Sequence, residues 1–203
     1  ARAFAGAHGL YGVTFFWAHF SPEKEAAQAG NIARAARAAG VRHAIWSTLE
    51  DTRRWVPLES ERMPTLMGRY KVPHFDAKGE ADALFAERGV PTTRLYTSFF
   101  WENLIHFGMA PRRMPDGGLV FVLPMGDRPL PGIAASDIGA CALQLFVRGA
   151  EVVGRQVGIS GGHLTGEQMA RSLTRVLGEP VRYQSMPFAA YAALGFPGAA
   201  DLA

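Results

Sequence analysis

The sequence predicts an α/β fold built on a doubly wound parallel sheet, and three observations support this prediction. Short apolar runs, typical of strands buried on both faces, alternate with helical segments through the first half of the chain. The helical segments end at glycines, Gly40 and Gly89, immediately before the next apolar run. A strand, a helix of about 17 residues and another strand make a βαβ unit, so the strands should be parallel.

The first predicted βαβ unit begins with 13–17 (VTFFW), a continuous apolar run that we interpret as a buried strand. Residues 21–23 (SPE) supply an N-cap serine, a proline at the first helical position and an acid in the first turn. The helix should end at Gly40, and 41–47 is the second predicted strand. The glycines of residues 6–12 (GAHGLYG) precede the first strand. We interpret them as a helix-to-strand turn, because a dinucleotide-binding loop follows a strand and opens a helix.

The next segment, residues 48–73, carries several prolines and no convincing period, which predicts a long loop. It follows the carboxyl end of a parallel strand, where α/β proteins bind their ligands. Residues 74–88 are then predicted as a helix and 92–96 as a third strand, so the first half reads β-α-β-loop-α-β. The second half is less regular. Its predicted strands are 119–123, 152–160 and 181–184, and its predicted helices are 99–107, 138–147, 165–177 and 187–194.

Composition is that of an ordinary globular protein, with 48% hydrophobic and 19% charged residues in 203. The net charge of +3 comes from scattered arginines, which does not favour nucleic-acid binding. No apolar run approaches the roughly 18 residues of a membrane span, and no signal peptide is evident. A cytoplasmic location is therefore expected. The first residues look like the middle of a fold, so we expect the chain to be a fragment.

Two classes of chemistry are not expected. The six histidines show no HxxxH or HxH spacing, and no carboxylate cluster completes a ligand set, so no metal site is predicted. The sequence has no G-x-S-x-G nucleophile elbow, so a hydrolase with a covalent intermediate is not expected.

Three groups of residues fall at predicted carboxyl ends of parallel strands, at 14–16, 47–48 and 96–98. His74 and Lys78 are four residues apart, so they project from the same side of a helix. The hydroxyl of Ser47, the ammonium of Lys78 and the imidazole of His74 could then bind a ribose and a reacting carbonyl. Two alternatives stay open. The His74–Lys78 pair suits an ordinary helix surface, and residues 47–48 suit local capping of the following loop.

Four segments, 13–51, 72–103, 124–143 and 194–203, resemble the NmrA-like family, atypical members of the short-chain dehydrogenase/reductase superfamily. The motifs HFDAKGE (74–80) and SFFWEN (98–103) are the most specific parts of this resemblance. It is nearest to the redox-sensor type, which binds NADP. The resemblance implies the C-terminal part of a Rossmann-type doubly wound sheet with a smaller α+β lobe for substrate or partner. The first βαβαβ half, with the glycine-rich loop, would be missing.

The resemblance also implies domain boundaries. Residues 1–104 would be the remaining dinucleotide-binding domain, with 132–149 and 187–203 packing back on it. Residues 105–131 and 150–186 would form the smaller lobe.

Site residues follow from the resemblance as well. In the superfamily the active lysine follows a tyrosine by four residues; Lys78 matches the lysine, His74 stands at the tyrosine position, and Ser47 matches the serine. These three are the expected catalytic residues. The expected cofactor is NADP or NAD, with NADP favoured. Its expected contacts are Thr14, Phe15, Phe16, Ser47, Thr48, Lys78, Tyr96, Thr97, Ser98 and Phe99, and the expected substrate or lobe contacts are Phe100, Glu102 and Asn103.

The implied function is an NAD(P)-binding protein that senses redox state or weakly reduces a small carbonyl or quinone. Loss of the tyrosine removes the usual general acid, although a histidine also titrates near neutral pH. The alternative is a non-catalytic regulatory module that binds a protein through the 48–73 loop and the C-terminal lobe. A small-molecule substrate or a regulatory protein is the expected partner, and a homodimer is a further expectation.

Overall fold

The computed structural model describes residues 2–196 and 198–202. The strands in chain order are β1 (Gly9–Gly12), β2 (His43–Thr48), β3 (Thr92–Tyr96), β4 (Phe99–Phe100), β5 (Arg112–Arg113), β6 (Leu119–Leu123), β7 (Leu130–Ile133), β8 (Gln156–Gly158), β9 (Gly162–Leu164) and β10 (Val181–Ser185). The α-helices are α1 (Pro22–Ala38), α2 (Pro73–Glu87), α3 (Asn103–His106), α4 (Ala135–Arg148), α5 (Gly166–Leu177), α6 (Phe188–Ala192) and α7 (Ala199–Leu202). Short 3-10 turns occur at Arg2–Phe4, Phe16–Ala18, Thr52–Arg54 and Gly149–Val152.

The chain forms two compact units. The first runs to Thr97 and resumes at Gly139–Ile159, and the second comprises Ser98–Ile138 and the chain from Ser160. Among the described residues, the sheet of the first unit has the order β1-β2-β3-β8, and every neighbouring pair is parallel. The predicted α/β class with a parallel sheet is confirmed.

Helices α1 and α2 lie on the same face of this sheet, since each is the right-handed crossover between adjacent parallel strands. Helix α1 begins as predicted: the Ser21 hydroxyl accepts a hydrogen bond from the backbone N–H of Lys24, with Pro22 at the start of the helix. Alanines on the inner faces of both helices let the backbones approach each other and Trp46, which packs on Phe85 with ring centroids 4.7 Å apart.

The first strand differs from the prediction. Strand β1 is Gly9–Gly12, and the predicted strand at 13–17 is a loop that leads into a 3-10 turn. A Cβ at Gly9 would lie 2.7 Å from the ring of Phe146, and one at Gly12 would lie 3.3 Å from the ring of Trp46. Only glycine at these two positions allows β1 to pack so closely against the rings of Phe146 and Trp46. The prediction that Gly9 and Gly12 belong to a turn was wrong. Both residues lie in β1, where they allow the rings of Phe146 and Trp46 to pack closely on the strand.

The described part of the second unit contains two three-stranded sheets. One has the order β10-β6-β5 and the other β4-β7-β9, each with one parallel and one antiparallel pair. Helix α5 packs on β6 and β10, with Met169 and Ala170 against Phe121. A capping box between Thr165 and Gln168 starts α5, which confirms the predicted helix.

Three predicted features of the second half are corrected. The aromatic segment 99–107 is not one helix: Phe99–Phe100 is a strand paired with β7, and only Asn103–His106 is helical. Strand β8 pairs with β3, so residues 156–158 belong to the first unit and not to the lobe. Helices α6 and α7 belong to the second unit, whereas 187–203 was expected on the dinucleotide-binding domain. Among the described residues, no helix is long and apolar enough to cross a membrane.

Candidate functional site

A buried ion pair lies behind the loop that follows β1. The Lys78 ammonium, on α2, is 2.7 Å from Oε1 of Glu25, on α1. It also donates to the backbone carbonyl of Thr14 at 2.9 Å and to the Thr14 hydroxyl at 2.8 Å. The Thr14 hydroxyl in turn donates to the same Glu25 oxygen. An ammonium has three protons, so Thr14 and Glu25 use all of them.

Burial decides the electrostatics of this pair. Glu25 is fully buried and Lys78 is 9% exposed. Burial lowers the pKa of Lys78, and the negative charge of Glu25, with a smaller effect from Asp82, opposes that shift. The short contacts between the ammonium and the carboxylate offset part of the desolvation cost, because either charge alone would be costly to bury.

His19 lies on the far side of the Glu25 carboxylate. Its Nε2 is 3.6 Å from Glu25 Oε2, and both atoms are buried without a hydrogen-bond partner among the described residues. The backbone N–H of Ser21 donates to His19 Nδ1 at 3.1 Å. Nδ1 is therefore an acceptor, so the proton of the neutral ring is on Nε2 and faces Glu25.

Asp82, one helical turn after Lys78, accepts hydrogen bonds from side chains in β2 and β3. Its carboxylate accepts hydrogen bonds from Trp46 Nε1 at 3.0 Å, from the Thr48 hydroxyl at 2.7 Å and from the Tyr96 hydroxyl at 3.3 Å. Burial raises the pKa of Asp82, and these bonds together with the charge of Arg94 oppose the shift. Two expected cofactor residues, Thr48 and Tyr96, are thus held by an acid.

His74 does not stand in an open cleft. Its ring packs against Phe16 at 6.1 Å, Trp17 at 4.7 Å and Phe75 at 4.7 Å between centroids, and it is 9% exposed. Ser47, in β2, is buried as well. The expected catalytic residues His74 and Ser47 are therefore interior side chains in this structure, and their roles stay predictions.

The other expected site residues fall into two groups. In the first unit, Phe15 is exposed whereas Phe16 is buried in the aromatic cluster around His74, so only Phe15 is open to a ligand. In the second unit lie Ser98, Phe99, Phe100, Glu102 and Asn103. Both oxygens of Glu102 accept from the backbone N–H of Ala135 at 3.0 Å, so this acid supports the first turn of α4.

An open pocket of about 310 Å³ lies at the carboxyl ends of β2, β3 and β8. Its walls carry two aromatic rings and two charged groups; the lining residues are Glu50, Arg54, Trp55, Tyr96, Gln156 and Gly158. The indole of Trp55 is 58% exposed. Burial, and next the charge of Asp82, raise the pKa of Tyr96, so its phenol is protonated at neutral pH.

The predicted long loop between β2 and α2 is built around two buried charges. Asp76, in the first turns of α2, accepts from the Thr52 and Lys71 backbone N–H groups, each at 2.8 Å. The Lys71 ammonium donates to the carbonyls of Ser60 and Met63, each at 2.8 Å. These bonds satisfy backbone groups that a long loop would otherwise leave to water.

The whole sequence, residues 1–203, matches the NmrA-like family. This chain belongs to the NmrA-like family. It is 30% identical over 155 residues to an NAD(P)H azoreductase of Xenophilus azovorans, covering 73% of this chain and 46% of the relative. It is 26% identical over 163 residues to the nitrogen metabolite repression protein nmr of Neurospora crassa, covering 77% of this chain and 31% of the relative. The NmrA-like chain thus spans less than half the length of these curated relatives.

Solved structures show the same relationship. The negative transcriptional regulator Nmra, crystallised with NAD and with NADP, is 25% identical with a TM-score of 0.78, covering 99% of this chain and 60% of Nmra. The NADPH-dependent quinone oxidoreductase QOR2 of Escherichia coli, in complex with NADPH, is 25% identical with a TM-score of 0.71, covering 99% of this chain and 65% of that protein. The fold of the NmrA-like chain is therefore Rossmann-type.

The residues of this NmrA-like chain fit one end of a nicotinamide dinucleotide. Lys78 places a cation beside Thr14, and Val13 and Phe15 on either side of Thr14 expose apolar surface suited to a nicotinamide ring. The pyrophosphate end is different, since the sequence contains no G-x-G-x-x-G run of the kind that receives it. Within the described ranges, no three His, Cys, Asp or Glu side chains converge into a metal-binding group.

Sequence reasoning missed the two acids that organise the site, Glu25 and Asp82. A signal for Glu25 was available: it occupies the same inner stripe of α1 as Ala29, Ala33 and Ala36, where an acid must have a buried partner. Lys78 is the matching cation on the inner face of α2. The signal for Asp82 was its spacing of four residues after Lys78 on α2.

Proposed function

We propose that this NmrA-like protein binds a nicotinamide dinucleotide at the carboxyl ends of β1 and β2, and that Lys78 holds the nicotinamide ribose. The contact of the Lys78 ammonium with Thr14, in the loop after β1, is the observation that carries the proposal. To reach a ribose hydroxyl, Lys78 gives up one of its two Thr14 contacts. Nmra with NAD or NADP and QOR2 with NADPH support a dinucleotide of this class.

The acceptor of the hydride is proposed to bind in the open pocket beside Tyr96. Its volume of about 310 Å³ is near the lower limit of ligand pockets, roughly 300 Å³, so a small molecule suits it. The rings of Trp55 and Tyr96 favour a flat acceptor such as a quinone over a bulky one. When bound, the dinucleotide supplies the hydride, and this chain's residues orient both molecules.

The second candidate is a redox sensor or regulatory module without turnover, and the position of His74 favours it. Because this imidazole is packed among three aromatic rings, it is poorly placed to replace the missing tyrosine phenol as a proton donor. The regulatory protein partner and the homodimer stay predictions.

One series of measurements tests both candidates. NADPH and NADH are titrated by fluorescence into the wild-type protein, Lys78→Ala and Lys24→Ala, and NADPH oxidation is then followed with a panel of quinones. We expect Lys78→Ala to weaken binding about tenfold, the loss of one charge-assisted hydrogen bond. Lys24→Ala removes an exposed lysine of α1 and should bind like the wild type.

The outcomes are distinct. Turnover that Lys78→Ala abolishes supports the reductase, and tight binding without turnover on any acceptor supports the sensor. If neither NADPH nor NADH binds, the proposal that this protein binds a nicotinamide dinucleotide is wrong. Tighter binding of NADPH than of NADH would support the expected preference for the phosphorylated cofactor.

A further inference from the structure

We infer that Glu25 is a positioning residue: its buried carboxylate holds the Lys78 ammonium against the loop that follows β1. The inference rests on the proposed function only in taking Lys78 as the cofactor lysine. Glu25 is not itself an expected cofactor contact and does not line the open pocket; it acts through two residues that are expected contacts, Lys78 and Thr14.

The other two residues of the cluster, Lys78 and Thr14, contact the same carboxylate oxygen of Glu25. Oε1 receives both the Lys78 ammonium and the Thr14 hydroxyl. Because the hydroxyl gives its proton to Glu25, its lone pairs are left to accept from Lys78 at 2.8 Å. One of the three Lys78 contacts is therefore made by Glu25 directly, and a second is oriented by it.

The location of Glu25 makes a purely helical role a poor explanation. It lies in the alanine stripe of α1 and is fully buried, where an alanine would avoid the cost of desolvating a charge. Exposed Glu23 already supplies an acid to the first turn of the same helix. The carboxylate is instead directed at Lys78, and the orientation of that lysine is what it determines.

Binding a ribose makes the role of Glu25 clearer. When Lys78 exchanges a Thr14 contact for a ribose hydroxyl, the Glu25 contact can persist and keep the ammonium charged and close to the loop. Without the Glu25 carboxylate, only the smaller effect of the Asp82 charge would oppose burial, which favours the neutral amine, and that amine donates fewer hydrogen bonds.

The chain allows a direct test because it has only three lysines, Lys24, Lys71 and Lys78. Lysine labelled with ¹³C at Cε is incorporated into the wild type, Glu25→Gln and the control Glu23→Gln, and the three signals are followed against pH. We expect Lys78 to titrate at lower pH in Glu25→Gln than in the wild type, with Lys24 and Lys71 unchanged. Glu23→Gln should leave all three curves alone. An unchanged Lys78 curve in Glu25→Gln would overturn the inference.

Cofactor binding supplies the second readout. The NADPH dissociation constant should rise about tenfold in Glu25→Gln, as for loss of one charge-assisted hydrogen bond, and should stay the same in Glu23→Gln. If the wild type binds no dinucleotide, the proposed function fails, while the Lys78 titration still decides the role of Glu25. Normal NADPH affinity in Glu25→Gln would show that Glu25 is structural only.

A third measurement covers the case in which Glu25→Gln unfolds. Lys78→Met is then combined with Glu25→Gln, so that both buried charges are removed together. We expect the double variant to fold and to melt at a higher temperature than Glu25→Gln alone, because the stranded ammonium is gone. A double variant no more stable than the single one would contradict the direct coupling of the two residues.

Discussion

Gly79 leaves room for the start of the loop that follows β2. A Cβ at this position of α2 would lie 2.7 Å from the backbone nitrogen of Asp51. Gly79→Ala should therefore destabilise the protein by about 1 kcal/mol or more, because the steric cost exceeds the gain in helix propensity. Urea unfolding followed by circular dichroism measures the change.

Gly30, in the interior of α1, is the matched control. A Cβ there would lie 3.7 Å from Leu84, which is an ordinary contact. Gly30→Ala should raise the free energy of unfolding by about 0.5–1 kcal/mol through helix propensity alone. Equal effects of the two substitutions would refute the close approach at Asp51.

Lys78 and Glu25 show which site residues could be predicted from the sequence and which could not. Spacing on α2 made Lys78 a candidate and the family resemblance assigned it as the active lysine. Its contact with Thr14 agrees with the expected convergence of strand ends. Glu25 was missed because an acid in the first turn of a helix already has a sufficient local explanation in the helix dipole. The packing of α1 against α2 shows that its carboxylate is interior, in line with its place in the alanine stripe of α1.

At the scale of elements, Asp76 joins both ends of the 49–72 loop to α2. One carboxylate oxygen accepts from the backbone N–H and hydroxyl of Thr52, and the other from the backbone N–H groups of Lys71 and Val72. In Asp76→Asn, the amide NH₂ faces at least one backbone N–H whichever way it turns. We expect a loss of about 3 kcal/mol in unfolding free energy. Faster tryptic cleavage after Arg54 and Arg62, measured by mass spectrometry, should accompany it.

Asp116→Asn provides the comparison for Asp76→Asn. Asp116 is paired with Arg182 at 3.1 Å, but both side chains are more than 60% exposed. Its substitution should cost less than about 1 kcal/mol and leave cleavage of the 49–72 loop unchanged. If Asp76→Asn is as mild as Asp116→Asn, Asp76 does not hold the loop.

Elements were predicted best where local signals and packing agree. The Ser21–Pro22 start of α1 and the Thr165 cap of α5 are local, and both helices are present. Strand β1 depends on distant partners, the rings of Trp46 and Phe146, which no local pattern could show. Apolar residues 13–17 therefore looked more strand-like than the glycines that form the strand.

At the scale of the whole molecule, His43 should make stability depend on pH. Its Nε2 is 2.8 Å from the Thr93 hydroxyl, which donates to the carbonyl of Val152, so Nε2 must donate. Burial, with a smaller effect from His8, lowers the pKa of His43. The unfolded chain then binds the proton more readily. Stability should be full above about pH 6.5, the ordinary value, and fall below it.

Urea unfolding between pH 8 and pH 5 tests this dependence. The wild type should lose more stability on acidification than His43→Gln, which has no imidazole to protonate. His163→Gln makes the same substitution at an exposed histidine and should follow the wild type. Parallel pH curves for the wild type and His43→Gln would show that His43 does not contribute.

The fold class was predictable from the sequence because βαβ units are local in the chain. The division of the chain into two units was not predictable from the sequence. It depends on β8 returning to pair with β3 about 60 residues later, and that pairing has no signal in the sequence around residues 156–158. The same long-range pairing brings Gln156 and Gly158 to the open pocket.

The burial of two of the three lysines has a practical consequence. Lys71 and Lys78 are 2% and 9% exposed, whereas Lys24 lies on the outer side of α1. Amine-reactive coupling to a solid support should therefore use, among lysine side chains, Lys24 alone. Lysine coupling would then attach the protein through the first turn of α1, which follows the carboxyl end of β1.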